Sequence, residues 1–406
     1  MPKFLTIDDF NFKNKTALIR VDFNSPIDPE TKKIIDDTRI RIHGETIREL
    51  AQKGAKVVVL AHQGRPGDPD FIPLKQHAEI LGKVLDMPVK HVDDVFGERA
   101  QGAIKKLKPG EILVLDNVRN FPNERKKGTP KEHSKQELVL KLAPLADVFV
   151  NDAFAAAHRA HVSIVGFTAL LPSVAGRVME SELKALTKVL ETPEKPCVFI
   201  LGGAKADDSL DISRYVLKNN IADHVLTGGV IGHVFLVAKG FDLGKPNMDF
   251  LEKKGQMGLV SGIRELMGRY PREIEVPADV AVEVDGKRKE IAVTGFPTNH
   301  PIYDIGTETT EKYTKIIDKA RTIVLSGPMG VFENREFLKG TKNVFGAVAA
   351  SKAFSLVGGG HTVAAVEELG LAKKMSYVST AGGALIEFLM GKQLPGVIAL
   401  EKAAER

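Results

Sequence analysis

The chain has 406 residues, 43% of them apolar, with a net charge of +5 from 57 basic and 52 acidic side chains; it is too long for one comfortable hydrophobic core and is expected to form two domains of roughly 200 residues each. Interleaved charges of both signs argue against a nucleic-acid partner, the lack of any apolar run near ~18 residues argues against a membrane span, and the single cysteine, Cys197, excludes an internal disulfide. Asp8, Asp9, Asn11 and Lys13 interrupt the amino terminus before a signal-peptide pattern develops, which predicts a cytoplasmic protein.

Along the first half, apolar runs at 16–23, 55–62, 111–119 and 147–152 read as strands separated by segments of helical period. That alternation predicts a parallel sheet covered by helices. Thr38 is a plausible N-cap before Ile40, Ile42, Ile47 and Leu50, and Pro73 stands near the start of the next helix. Residues 179–190 form a charged helical pattern with apolar positions at Leu183, Leu186 and Leu190, closed by Thr192, Pro193, Glu194, Lys195 and Pro196. This is the expected interdomain connector. A second strand series follows at 197–201, 224–227, 322–325, 354–357 and 377–380, and the segments 274–284 and 289–294 flank Asp285 and Gly286, the strongest hairpin signal in the chain. The expected fold is α/β, with two doubly wound parallel-sheet, Rossmann-like domains joined by a hinge helix over 176–196; the second domain spans 197–391.

Open α/β sheets place ligands at the carboxyl ends of their strands. In the first half those ends carry Arg20, Asp22 and Asn24, then His62 and Arg65, then Arg119. His158, Arg159 and His161 lie just beyond the next strand, and Arg39 and Arg41 open the first helix. Each arginine alone reads as a solvated surface ion pair. Their joint occurrence at successive strand ends reverses that reading, because the planar guanidinium donates paired, charge-assisted hydrogen bonds to phosphate or carboxylate, worth about 1.5–3 kcal/mol each. His158 and His161 lack a third ligand at metal spacing, so no zinc site is expected. In the second half glycine replaces arginine at the strand ends: 202–203, 228–229, 358–360 and 382–383. A glycine loop that opens a helix, as Gly358, Gly359, Gly360, His361 and Thr362 do, offers free N–H groups and a helix dipole to a nucleotide phosphate. Lys205 follows Gly202, Gly203 and Ala204 at a strand end, where it can act as a point charge on phosphoryl oxygens. Neither G-x-x-x-x-G-K-[ST] nor a strand-following G-x-G-x-x-G is present, so a P-loop enzyme and a dinucleotide oxidoreductase are both disfavoured.

Six motifs, RVDFNSP at 20–26, HQGRP at 62–66, AHRAH at 157–161, LGGAK at 201–205, GPMGVFE at 327–333 and LPGV at 394–397, occur in the order and spacing of one family. Over essentially its whole length the chain resembles the phosphoglycerate kinases. The resemblance implies reversible transfer between ATP and 3-phosphoglycerate, giving ADP and 1,3-bisphosphoglycerate, in glycolysis and gluconeogenesis, with Mg²⁺ carried mainly by the nucleotide. By the same resemblance Asp22, Phe23, Asn24, Arg39, His62, Gln63, Gly64, Arg65, Arg119 and Arg159 hold the phosphoglycerate. Gly203, Lys205, Glu333, Gly358, Gly359, Gly360, His361 and Thr362 hold ATP, Glu333 at the ribose hydroxyls, and Arg39, Lys205, Gly359 and Gly360 are the catalytic candidates. The family's last residues return to the first domain, which is therefore expected to comprise 1–175 with 392–406. Three departures resemble the archaeal branch: His361 stands in place of an aspartate, Ser209 of a lysine and Ala381 of a glycine, so no residue is assigned as a metal ligand.

A carboxylate acceptor needs no general base, so catalysis reduces to alignment and charge neutralisation, with closure of the two domains excluding water. Expected partners are these substrates alone, without nucleic acid or membrane, in a monomer or homodimer. The rivals are a kinase for another small acid, which the arginine cluster disfavours, and a non-catalytic nucleotide- or nucleic-acid-binding regulator, which the substitutions at 209, 361 and 381 would suit.

Overall fold

Six short strands organise the first part of the chain: β1 (Thr16–Arg20), β2 (Lys56–Leu60), β3 (Val89–His91), β4 (Ile112–Val114), β5 (Val148–Asn151) and β6 (Ser173–Ala175). They are all parallel, in the order β3-β4-β2-β1-β5-β6. Successive side chains point to opposite faces, and both faces are covered. Ile19, Val57 and Val59 pack with Ile40, Ile47 and Leu50 of the helix Thr38–Gln52 on one side. Leu18, Val58 and Leu60 pack with Ala100, Ile104 and Leu138 on the other. The order reverses at β1, whose neighbours are β2 and β5, so the loops leaving these three strands share one crevice.

The computed structural model describes residues 4–406. Contacts divide the chain into two units, Met1–Leu183 with Gln393–Arg406, and Lys184–Lys392, the division falling within the helix Arg177–Leu190. The carboxyl-terminal helix Pro395–Ala404 belongs to the first unit: Ala399 joins an apolar cluster with Ala153, Ala156, Ile164 and Val165, and Gly396 N–H donates to the Ala157 carbonyl at 2.9 Å.

The second unit contains β7 (Cys197–Leu201), β8 (His224–Thr227), β9 (Ile274–Glu275), β10 (Asp279–Val284), β11 (Lys287–Ala292), β12 (Ile302–Ile305), β13 (Thr322–Ser326), β14 (Phe354–Gly358) and β15 (Tyr377–Val378). A parallel sheet runs β15-β14-β13-β7-β8-β9, and a small antiparallel sheet runs β11-β10-β12. Asp285 and Gly286 both have positive φ, 51° and 76°, the geometry of the two-residue turn expected between β10 and β11. Cys197 is buried in β7, and burial pushes its thiol up to about 12, which fits a small hydrophobe rather than a nucleophile.

Three expectations need correction. The segment 274–284 is not one strand: Ile274–Glu275 joins the parallel sheet and Asp279–Val284 the hairpin, with Pro277 between them lacking the N–H a ladder would need. Thr38 is the first helical residue rather than the cap; the cap position is Asp37, and Asp36 Oδ1 accepts the Thr38 N–H at 2.7 Å. The strand run 111–119 pairs only over Ile112–Val114, after which Val118–Asn120 coils into a 3₁₀ turn that swings Arg119 inward.

Candidate functional site

Arg20 ends β1 fully buried, and a buried guanidinium must find acceptors for its donors. Its Nε donates to Ser163 Oγ at 2.8 Å, and its Nη2 lies 3.0 Å from His62 Nδ1. A guanidinium can only donate, so His62 accepts at Nδ1 and carries its proton on Nε2. Burial keeps that imidazole neutral, well below its usual range, with Asp22 opposing the effect and Arg20, Arg119 and Arg159 reinforcing it. Ser163 in turn donates its hydroxyl to Glu124 Oε1 at 2.6 Å and its N–H to Oε2 at 2.9 Å. Burial pushes the Glu124 carboxyl up while Arg20 holds it down, so a buried acid and a buried base face each other through one hydroxyl.

Arg39, in the first turn of its helix, donates to Asp22 Oδ2 at 2.5 Å, and the Asn24 N–H donates to Asp22 Oδ1 at 3.0 Å. Burial alone would raise the Asp22 carboxyl, but Arg39, His62, the Asn24 N–H and His43 hold it well below the usual carboxylate range. The loops after β1 and β2 are laced together: Gly64 N–H donates to Asn24 Oδ1 at 2.8 Å, Ser25 N–H to Gln63 Oε1 at 2.8 Å, and Gln63 Nε2 returns to the Ser25 carbonyl at 3.0 Å. Gly64 has φ +63°, and a Cβ there would sit 2.5 Å from the Asp70 carbonyl. Phe23 is fully buried, stacked on His77 and edge-on to His43, and the Gln63 side chain is fully buried in its own hydrogen bonds. These two candidates therefore shape the loops from within.

Arg119 donates to the Gly64 carbonyl, and Arg159 Nε donates to His158 Nε2 at 3.2 Å, while Arg65 stands exposed. Burial, then Arg159 and Arg20, pulls the Arg119 guanidinium down to about 10. Burial, then Arg159, Arg20 and Arg119, pulls His161 down to about 3. The cluster thus carries more positive charge than its two buried carboxylates, Asp22 and Glu124, balance, and an anion is what would relieve it. His43, Glu124, Asp152 and Ser163 were not singled out from sequence. His43 left a signal, a histidine three residues after Ile40 and four before Ile47 on the buried helix face; Glu124 and Ser163 left none.

In the second unit the glycines divide into two kinds. Those after β7, β8 and β13 let three loops lie on one another: Gly203 N–H donates to the Pro328 carbonyl at 2.7 Å, Gly229 N–H to Met329 at 2.8 Å, and Val230 N–H to Gly203 at 2.9 Å. A Cβ on Gly202 would meet the Pro328 carbonyl at 2.2 Å and one on Gly327 the Gly202 carbonyl at 2.1 Å. Their glycines are explained by packing. The loop after β14 differs: Gly359 has φ +94°, a Cβ on Gly360 would meet nothing within 4 Å, and the helix Gly360–Glu368 starts there. Its first-turn N–H groups and dipole form an anion-favouring end. Thr362 is buried and its Oγ1 accepts the Gly327 N–H at 2.7 Å, fixing this loop to the one after β13, while His361 is exposed. Lys205, also exposed, occupies the N-cap position of the helix Ala206–Lys218 without a side-chain capping bond. Glu333 is exposed on a loop seated on β12, where Val331 N–H donates to the Tyr303 carbonyl at 2.7 Å and buried Asp304 accepts from Arg288 Nη1 and Gly340 N–H, each at 2.7 Å. Among the described residues no group of three or more His, Cys, Asp or Glu side chains is placed to hold a metal ion, and no helix is long and apolar enough to cross a membrane.

The sequence profile of the family described as "Phosphoglycerate kinase" matches residues 7–392. The chain is 49% identical over 394 residues to "Phosphoglycerate kinase" of Methanobacterium bryantii, covering 97% of this chain and 96% of that protein. It is similar to the crystal structure of phosphoglycerate kinase from Pyrococcus horikoshii OT3, with a TM-score of 0.90 and 43% identity over 99% of both chains. It is also similar to the phosphoglycerate kinase structure from Coxiella burnetii, with a TM-score of 0.84 and 35% identity over 99% of this chain and 100% of that one.

Proposed function

The chain belongs to the phosphoglycerate kinase family, and from that premise we propose which residues carry the reaction. That reaction is the reversible transfer of a phosphoryl group between ATP and the carboxylate of 3-phosphoglycerate, giving ADP and 1,3-bisphosphoglycerate. The first unit takes the acid. The observation that supports this is the arginine cluster around Asp22: Arg39, Arg119 and Arg159, with Arg65 beside them, present forked donors where the loops of β1, β2 and β5 meet. His62, neutral with Nε2 protonated, adds a directional donor. The second unit takes the nucleotide, its phosphates at Gly359 and Gly360 and at Lys205, its ribose at Glu333.

The acceptor carboxylate is already ionised, so no residue has to remove a proton. Arg39 holds the acid by its charge and aims the attacking oxygen; as the γ-phosphoryl transfers, Arg39 and Lys205 stabilise charge on its equatorial oxygens, and the glycine N–H groups keep the leaving phosphate in line. Transfer requires the two units to close on their substrates, with Arg177–Leu190 as the hinge, and closure excludes the water that would otherwise hydrolyse ATP. Mg²⁺ belongs to the proposal as an ion that would arrive with the nucleotide, and no residue of this chain is assigned as its ligand. When bound, it neutralises phosphate charge. A cytoplasmic location belongs to the same proposal, as the place where a glycolytic kinase meets its substrates.

The test is 1,3-bisphosphoglycerate formation from ATP, Mg²⁺ and 3-phosphoglycerate, for wild type and Arg39→Ala. Wild-type turnover with kcat lowered at least about a hundredfold in the variant, and ATP affinity retained, supports the transition-state role; equal losses in both would remove it.

A further inference from the structure

His43 lies one helical turn after Arg39 and is buried. Its Nε2 is 3.2 Å from the backbone N of Asp22, and its Nδ1 is 2.9 Å from Asp152 Oδ2. A backbone N–H can only donate, so Nε2 carries the lone pair and the proton sits on Nδ1, donated to the aspartate. Asp152, fully buried at the end of β5, uses its other oxygen to accept the N–H groups of Val178 and Met179, at 2.8 and 3.3 Å, in the first turn of the helix Arg177–Leu190. A Cβ on Gly176 would fall 2.2 Å from that oxygen, so the approach depends on glycine. The same helix start is tied to the His43 helix a second time, because Arg177 Nε and Nη2 grip both oxygens of Glu49 at 2.8 and 2.7 Å.

An imidazole that merely filled this space would leave two buried polar nitrogens unpaired, whereas here both are engaged, one on the backbone of Asp22 and one on an anchored carboxylate. We propose that His43 is a positioning residue for the acceptor acid: held from behind by Asp152, it fixes the Asp22 backbone and with it the carboxylate that Arg39 grips. The inference rests on the proposed role of Asp22 and Arg39 in binding 3-phosphoglycerate. It assigns the first turn of the connecting helix to the frame from which that site is held.

Two substitutions separate the nitrogens. His43→Asn keeps a donor near the Nδ1 position but offers Asp22 no acceptor; His43→Gln places a carbonyl oxygen near the Nε2 position and gives up Asp152. Kinetics, calorimetric binding of 3-phosphoglycerate and thermal melting are measured on the full chain. The Asn variant is expected to raise both KM and Kd for 3-phosphoglycerate about five- to tenfold, the effect of one lost buried hydrogen bond. KM for ATP should stay within about twofold of wild type, and the Gln variant should recover most of the acid affinity. An Asn variant that binds the acid as tightly as wild type overturns the assignment of His43 alone. So does a pair of variants that lose both substrates and melting temperature together, which marks a purely structural role. A wild type that fails to bind 3-phosphoglycerate overturns the functional reading and this inference with it.

Discussion

Arg20 and Glu124 face each other through Ser163, whose oxygen is 2.8 Å from Arg20 Nε and 2.6 Å from Glu124 Oε1. The hydroxyl accepts from the guanidinium and donates to the carboxylate, so one small side chain transmits the attraction of two buried charges. Ser163→Ala should therefore leave a buried N–H and a buried carboxylate oxygen without partners, at a cost of about 2–4 kcal/mol. The expected sign is a melting transition of the first unit lowered by about 5–10 °C, while Ser163→Thr, which keeps the hydroxyl, stays near wild type. An Ala variant that melts with the wild type would show that the chain of bonds contributes little.

Acid should destabilise the first unit through His77. Burial holds this imidazole at about 4, with Asp116 acting in the opposite direction, against an ordinary value of 6.5. Its folded value is depressed, so between those limits the unfolded chain binds a proton that the folded chain does not; the stability is present above pH 6.5 and is lost as pH falls toward 4. The full effect is about 3 kcal/mol. Denaturant titrations from pH 7.5 to about 4 should show the fall, and His77→Gln, which can still reach Gln63 from the Nε2 position, should flatten it. An unchanged slope would place the acid sensitivity elsewhere.

The two kinds of glycine in the second unit predict opposite outcomes. Gly202→Ala drives a methyl into the Pro328 carbonyl and should cost more than about 2 kcal/mol in stability. Gly360→Ala meets no neighbour and, at the start of a helix, should leave stability unchanged or slightly raised while weakening ATP binding if phosphate approaches the backbone there. Melting curves beside ATP titrations decide it: a Gly360 variant with wild-type ATP affinity would remove this loop from the phosphate site.

Excess positive charge around Arg119 should show in ionic strength. Added salt should lower kcat/KM for 3-phosphoglycerate, and Arg119→Gln should lower it further and make the salt dependence shallower, since one steering charge is gone. Parallel slopes for the two proteins would indicate that Arg119 acts on the Gly64 loop rather than on the substrate.

The parallel sheets were legible because buried strands such as Val57, Val58 and Val59 are apolar on both faces, and the hairpin because Asp285 and Gly286 accept positive φ. β3 and β6 were not, since Val89–His91 and Ser173–Ala175 are three residues each and carry polar groups at a sheet edge. In the site, charged side chains at strand ends announced themselves. The residues that hold them did not, because Glu124 and Ser163 meet Arg20 only through tertiary contacts, at sequence separations of 104 and 143 residues. The glycine-rich strand ends at 202–203, 228–229, 358–360 and 382–383 looked alike by composition, yet the first two interlock with the loop after β13 and use glycine for backbone proximity, a distinction visible only once Pro328 and Gly202 are seen in contact.

The helix Pro395–Ala404 packs on Ala153, Ala156, Ile164 and Val165, beside the loop that bears Arg159. A ribosome therefore makes the entire second unit before it releases the segment that completes the first. During synthesis the amino-terminal half is therefore complete except for the helix that covers Ala153, Ala156, Ile164 and Val165, so this apolar patch stays uncovered longest in the half that was made first.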